Sequence, residues 1–364
     1  VIVLSYRKVI QAYPSGGGDY EVAKTNLGRG ASLIVASALL LDYVMTVAVS
    51  IASGTDNLIS AFPEIADYRI EIAIGFLILI FAINLRGIRE SGVSFAIPTY
   101  IFISTVFIMI GTGLYKFFVL GQELVTTSSQ YEVGPIDEFT SNPTSVAVLL
   151  LLLRAFASGC SALTGIEAIA NGVPAFRKPK IRNANITMSM MGAIAVTMFI
   201  GTTWLALTSG VKYLESSHQL VNEAQKAEFM SHPQQSLMAQ IGISVFGEGS
   251  LMFYILQAAT AAVLLLAANT AFNGFPLLSS VLSKDGFAPK MLQTRGDRLV
   301  FSNGMLSLAL AAGALILVYQ ASVTGLIQLY IIGVFTSFTV GQIGMIKHWR
   351  RGLGDKSIPG KEAY

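Results

Sequence analysis

The sequence predicts an all-α, polytopic membrane protein. Three observations carry that prediction. Of the 364 residues, 53% are hydrophobic and only 12% are charged, against about 25% charged in a soluble domain. The apolar residues gather in stretches of about 20, the length a helix needs to cross a bilayer. Lysine and arginine, apart from Arg154 and Lys116, avoid those stretches, and most fall in alternate loops. Lipid offers no partner to exposed backbone groups, so spans this apolar are expected as helices; a closed barrel would show short alternating strands instead.

Eight complete spans follow in order: Ala31 to Ser53, Ile72 to Leu85, Val93 to Phe118, Val146 to Asn171, Ile186 to Gly210, Leu251 to Phe272, Leu306 to Val318 and Ile327 to Ile346. The loops between them sort by charge. Segments Arg7 to Gly30, Arg86 to Glu90, Arg177 to Arg182, Lys284 to Arg298 and Lys347 to Lys361 hold 19 of the 24 basic residues, and retained positive charge marks the cytoplasmic side. The intervening loops carry Asp56, Glu64, Glu123, Glu215 and Glu248, among other acids, and are expected outside. An even number of spans puts the first full loop and the carboxyl-terminal tail on one side, as the charges require. The expected location is the plasma membrane, multi-pass, with basic loops and tail cytoplasmic. Residues 1–350 read as one transmembrane domain truncated at both ends, because Val1 to Leu4 look like the tail of a span; 351–364 read as a cytoplasmic tail segment. The loop Val211 to Gly247, with its run KYLESSHQLVNEAQKAEF, is expected to be a solvated cover.

Several functions are disfavoured. Cys160 is the sole cysteine, which excludes an intrachain disulfide, and His218, His232 and His348 lie outside the apolar stretches, so a Cys/His metal site has no support. The net charge of +3 gives no reason to expect nucleic-acid binding. YPSGGGDYEVAK lacks the lysine and hydroxyl of a phosphate-binding loop and follows no strand; a flexible or gating cytoplasmic loop is expected there. No serine, histidine and acid constellation appears, so no enzyme and no cofactor are expected.

The chemistry lies in carboxylates inside apolar spans. An ionised carboxylate at a helix centre costs about 2.5 to 3.5 kcal/mol on insertion scales, so each requires a partner or a role. Asp42 sits mid-span in LLLDYVMTVAVS, and Glu167 sits in SALTGIEAIANG. Thr46 and Ser50 follow Asp42 at four-residue steps, so one helix face offers a carboxylate and two hydroxyls. Hard cations take oxygen ligands, and one carboxylate among neutral oxygens suits a monovalent ion. Such hydroxyls also serve as ordinary packing groups. In the fourth span Ser158, Gly159, Cys160, Ser161 and Gly165 interrupt a leucine run. That composition suits a broken helix, whose freed carbonyls line a cavity, or a small-residue packing face. Thr164 and Glu167 stand one turn apart beyond it. Arg154, just before it, is expected to be structural or part of an outer gate.

Whole segments resemble a known family. YPSGGGDYEVAKTNLG, LLLDYVMTVAVSIASG, NLRGIRESG, ASGCSALTGIEAIANGVPAF, NTAFNGFPLLSSVLSKDGFAPKML, RGDRLVFSNG and LIQLYIIGVFTSFTVGQIGMIKHW together resemble the amino acid, polyamine and organocation superfamily and, within it, the Kim-type potassium/proton symporters. The resemblance implies a leucine-transporter-type five-plus-five inverted repeat, present as a fragment holding the third to tenth helices. It implies potassium and protons as transported species, by alternating access. It carries the cation path onto Asp42, Thr46, Ser50, Thr164 and Glu167 and, more weakly, Tyr330. Asp42 and Thr46 would meet the potassium ion, and Glu167 or Asp42 would carry the proton. Related amino acid permeases place a lysine in the helix matching Val93 to Phe118; here the lysine there is Lys116, at the outer end.

Three functions are therefore weighed: a proton-coupled potassium importer, a proton-coupled amino acid permease of the same fold, and a non-transporting membrane sensor. The expected partners are the lipid bilayer and a small cation or amino acid; nucleic acid is not expected, and a homodimer is compatible with the reading.

Overall fold

The computed structural model describes residues 2–14, 16, 18–86, 92–134, 145–160, 165–214, 220–223, 225–226, 229, 234–292 and 301–354. Among these residues the secondary structure is helical, apart from an isolated antiparallel bridge between Val133 and Leu220. The helices are α1 (Ile2–Ala12), α2 (Gly18–Asn26), α3 (Arg29–Ala61), α4 (Arg69–Leu85), α5 (Gly92–Phe118), α6 (Ser145–Cys160), α7 (Ile166–Asn171), α8 (Lys180–Thr208), α9 (Leu237–Phe246), α10 (Leu251–Lys284), α11 (Ser302–Val318) and α12 (Val323–Gly354). Among the described residues six segments are long and apolar enough to cross a membrane: Arg29–Ala61, Pro63–Leu85, Phe95–Phe118, Lys180–Thr208, Leu251–Lys284 and Val323–Arg351. The chain is thus a multi-pass, all-α membrane protein. The expected seventh span is the shorter α11 of 17 residues, and the expected fourth span is divided between α6 and α7.

Two expectations change. The segment Leu237–Phe246 was expected in a solvated loop, yet it forms α9 and buries Ala239, Gln240, Ile241, Gly242 and Val245. Its sequence LMAQIGISVF is apolar with a serine cap, Ser236, whose Oγ accepts from the Ala239 N–H; the polar run before it hides a short core helix. The segment after YPSGGG was expected to be a flexible loop, yet Gly18–Asn26 is a helix burying Asp19, Tyr20, Val22, Ala23 and Asn26.

The chain forms two compact units. One comprises Val1–Tyr43, Phe156–Ala195 and Gln328–Tyr364; the other comprises Val44–Ala155 and Val196–Ile327. In the first, α12 presents Gly333, Ser337, Gly341 and Gly344 at steps of four, four and three residues, one face of a helix. A side chain at Gly333 would meet the Ala38 carbonyl of α3, one at Gly341 the Asp19 carboxylate, and one at Gly344 Val22 at 2.8 Å. Small residues on this stripe allow the close helix approach that replaces hydrophobic attraction in lipid. Tyr6 of α1 is fully buried and meets Phe338 edge-on at 5.5 Å.

The second unit is apolar at its centre. Val106, Met109 and Ile110 of α5, Leu124, Leu205 of α8, Ile241 and Val245 of α9 and Leu256 of α10 form one buried cluster. Gly201 stands against Ile110 and Gly242 against Leu256, each too close for a side chain. Some polar groups buried in this unit pair with one another: Asn84 donates to Asn269 at 2.5 Å, and Ser128 donates to Gln240 at 2.5 Å, whereas the Gln257 amide and the hydroxyls of Thr55 and Ser279 have no partner among the described residues.

Candidate functional site

The first unit gathers three carboxylates, one each from α3, α7 and α2: Glu167 and Asp19 are buried, and Asp42 is half-buried with one oxygen buried. Asp42 lies on α3, whose unbroken course keeps Thr46 and Ser50 on the Asp42 face at four-residue steps. The Tyr330 hydroxyl of α12 hydrogen-bonds to Asp42, while Asp42 Oδ1 is buried without a partner. Ser50 is buried. Thr46 and Ser50 fall in the second unit and are located by their places along α3 alone.

Glu167 stands in the first turn of α7 and is buried. Its entry into that helix is set by Gly165, whose φ of 90° is left-handed, a conformation glycine adopts without strain. Among the described residues the fourth span is interrupted at Gly165. Ser158, Gly159 and Cys160 occupy the last turn of α6. Ser161 and Thr164 lie outside the described residues, as do the side chains of Ser158, Cys160 and Arg154. Asn171, one turn on, donates to Glu167 Oε1 at 3.2 Å.

The third carboxylate, Asp19, was not singled out from the sequence. It is fully buried, accepts from the Tyr6 hydroxyl at 2.6 Å and from Ser337 Oγ at 3.2 Å, and leaves Oδ1 without a partner. Burial pushes its carboxyl up to about 7, with the two hydroxyl hydrogen bonds pulling the other way. The available signal was the glycine run before it. Gly18 has a φ of 46°, and its Cα lies against the Asn171 side chain, so the glycine lets α2 start in contact with α7.

Glu167 interacts through space with both Asp19 and Asp42, and Tyr43 feels both Asp42 and Glu167. Among the described residues the three acids do not close into a group able to ligate one metal ion. They share an electrostatic field, not a ligand shell. Among the same residues the side-chain ion pairs are Arg69 with Asp56 and Lys226 with Glu223, each at 2.6 Å. The three acids of this unit have hydroxyls and an amide as neighbours and take part in neither pair.

A family model described as "Amino acid permease" matches residues 1–361. The chain belongs to the amino acid permease family. This permease is 42% identical over 353 residues to "Potassium transporter KimA" of Bacillus subtilis (strain 168), an overlap covering 96% of this chain and 53% of that protein. The chain thus spans about half the length of the curated relative it matches. The family description and the relative's name point to different substrates. In the permease, Lys116 reaches out of the helix end to donate to the Val245 carbonyl at 2.7 Å, so its charge is engaged at the α5–α9 contact.

Proposed function

We propose that the full protein imports potassium, coupled to protons, by alternating access across the plasma membrane, with basic loops and tail cytoplasmic. The observation that carries this reading is Asp42: a carboxylate on a spanning helix, with one oxygen unpartnered, a tyrosine hydroxyl on it and a second acid in its field. An arrangement of that kind favours a mobile cation over a fixed basic partner. Asp42, Thr46 and Tyr330 would supply oxygen ligands to the dehydrated ion; Ser50, Thr164 and the backbone freed around Gly165 would complete the path.

Protons enter through the same field. In a symporter the proton travels with the cation: protonation of one of two mutually repelling acids relieves their repulsion while the other stays ionised to hold the ion, and both are released together on the inner side. Glu167, held by the neutral Asn171 amide, or Asp42, held by the Tyr330 hydroxyl, would carry the proton. Support for potassium comes from the 42% identity to a protein named a potassium transporter.

The test is uptake of rubidium or potassium by full-length protein in liposomes under an imposed proton gradient. Uptake that rises with the gradient is expected; no flux of any alkali cation would overturn the assignment.

The family description favours a second reading, an amino acid substrate whose charged ends meet the termini of the interrupted helix. A thermal-shift screen separates the two. Stabilisation by potassium and rubidium supports the first, and stabilisation by one amino acid with no response to potassium supports the second.

A further inference from the structure

The first unit carries a groove that the transport path does not use. It has a volume of about 750 Å³ and lies between α1 and the start of α8. Arg7 and Gln11 of α1 line one wall, one helical turn apart; Arg182, Asn185 and Ser189 of α8 line the other, at steps of three and four. Farther along α8 the helices converge, where a side chain at Gly192 would meet Val3 at 2.9 Å.

Ser189 Oγ donates to the Asn185 carbonyl at 2.8 Å, but the two arginines and the Asn185 side-chain oxygen are uncommitted. Among the described residues neither Arg7 nor Arg182 enters an ion pair. Neighbouring Lys180 is different, because its Nζ donates to the Pro174 carbonyl at 2.6 Å. Asn185 is 9% exposed, and its Oδ1 is buried with no donor. The groove thus offers two guanidiniums that want an anion and a buried acceptor that wants a hydroxyl or N–H. Guanidinium forks bind phosphate in bidentate fashion, as point charges do not.

The groove is also amphipathic along its length. Ile186 and Met190 line it and are 47% and 60% exposed. A free phosphate would use only the arginine end. A molecule with an anionic head, hydroxyls and an acyl chain would use all of it, and basic pockets at the ends of spanning helices are suited to such heads.

We propose that this groove between α1 and α8 binds an anionic phospholipid, phosphatidylglycerol, with its phosphate on Arg7 and Arg182, a glycerol hydroxyl donating to Asn185 and an acyl chain along Ile186 and Met190. The lipid would bridge two helices of one unit, so its binding is read as stabilisation as well as retention.

Full-length protein is purified in detergent, delipidated and titrated with phosphatidylglycerol, phosphatidylcholine, phosphatidylmethanol or inorganic phosphate. Retained lipid is counted by native mass spectrometry, and the unfolding temperature is followed in parallel. Phosphatidylglycerol is expected to bind about tenfold or more tightly than phosphatidylcholine, whose phosphate is equally anionic but whose quaternary ammonium is repelled by the two guanidiniums and which brings no hydroxyl to Asn185. Phosphatidylmethanol, equally charged but without hydroxyls, falls between them, and inorganic phosphate does not displace the lipid. The double variant Arg7→Gln, Arg182→Gln erases the preference for anionic lipid. Asn185→Leu keeps that preference but no longer separates phosphatidylglycerol from phosphatidylmethanol. Equal retention of phosphatidylglycerol and phosphatidylcholine overturns the proposal, as does an unchanged preference in the double variant. Displacement by inorganic phosphate overturns it in favour of a soluble anion. The headgroup series on the unaltered protein decides the matter even if a variant fails to fold.

Discussion

The two units handle buried acid in opposite ways. In the second, Asp56 is paired with Arg69 at 2.6 Å, a fixed neutralisation that belongs to the architecture. In the first, Asp19, Asp42 and Glu167 are surrounded by the hydroxyls of Tyr6, Ser337 and Tyr330 and the amide of Asn171. Hydroxyls and amides soften a negative charge without cancelling it. The difference fits the proposed division into scaffold and site: one unit pairs its acid with a base beside an apolar cluster, and the other leaves its acids without a basic partner, as the proposed cation and proton path requires.

The comparison breaks most sharply at Glu167. Glu167→Gln keeps the shape and removes the titration, so uptake driven by a proton gradient is expected to vanish in liposome flux assays while the protein remains folded. Gradient-driven uptake at the normal rate would remove Glu167 from the coupling path.

The scaffold side is probed by Leu205→Ala. Leu205 is fully buried in the apolar cluster, and such a truncation costs about 2 to 5 kcal/mol through the cavity it leaves. Unfolding temperature should drop, whereas uptake per folded molecule should stay near normal. The contrast between units fails if uptake per folded molecule falls as steeply as stability.

A smaller effect is expected where the small-residue stripe meets the acid. Gly341→Ala places a methyl group on the Asp19 carboxylate, an overpacking worth about 1 to 3 kcal/mol. Asp19→Ala in the same chain should return part of that stability, which a double-mutant cycle on unfolding temperatures measures. Additive losses would mean the two residues are not in contact.

A further effect concerns pH. Asp19 has an ordinary value of 3.8 that burial raises to about 7, so the folded state holds the proton more tightly than the unfolded state. Its contribution to stability is fully present below the unfolded value and is lost as pH climbs through the folded value. Thermal unfolding across that window should show a decline that Asp19→Asn lessens. An identical decline in the variant would place the titrating group elsewhere.

Much of this was legible in the sequence because lipid imposes a simple code. Length and apolarity marked the spanning segments, and Gly165 with its small neighbours marked the interruption before Glu167. Asp42 stood out because it follows three leucines and precedes Tyr43, Val44 and Met45, an apolar run in which a carboxylate is conspicuous. Asp19 was hidden for the opposite reason. Its flanks are glycine, tyrosine and glutamate, and its burial comes from Ser337 and Gly341, more than 300 residues away in the chain. α9 was obscured in the same manner by the polar run that precedes it. Local pattern reports the solvent a segment avoids, not the distant helix that covers it.

The most direct test of the account is rubidium or potassium uptake by full-length protein carrying Asp42→Asn, with expression and unfolding temperature measured alongside. Asparagine preserves size and hydrogen bonding but removes the charge that would hold the ion. The account predicts that uptake collapses while the protein folds and reaches the membrane; normal uptake by a folded Asp42→Asn protein would contradict it.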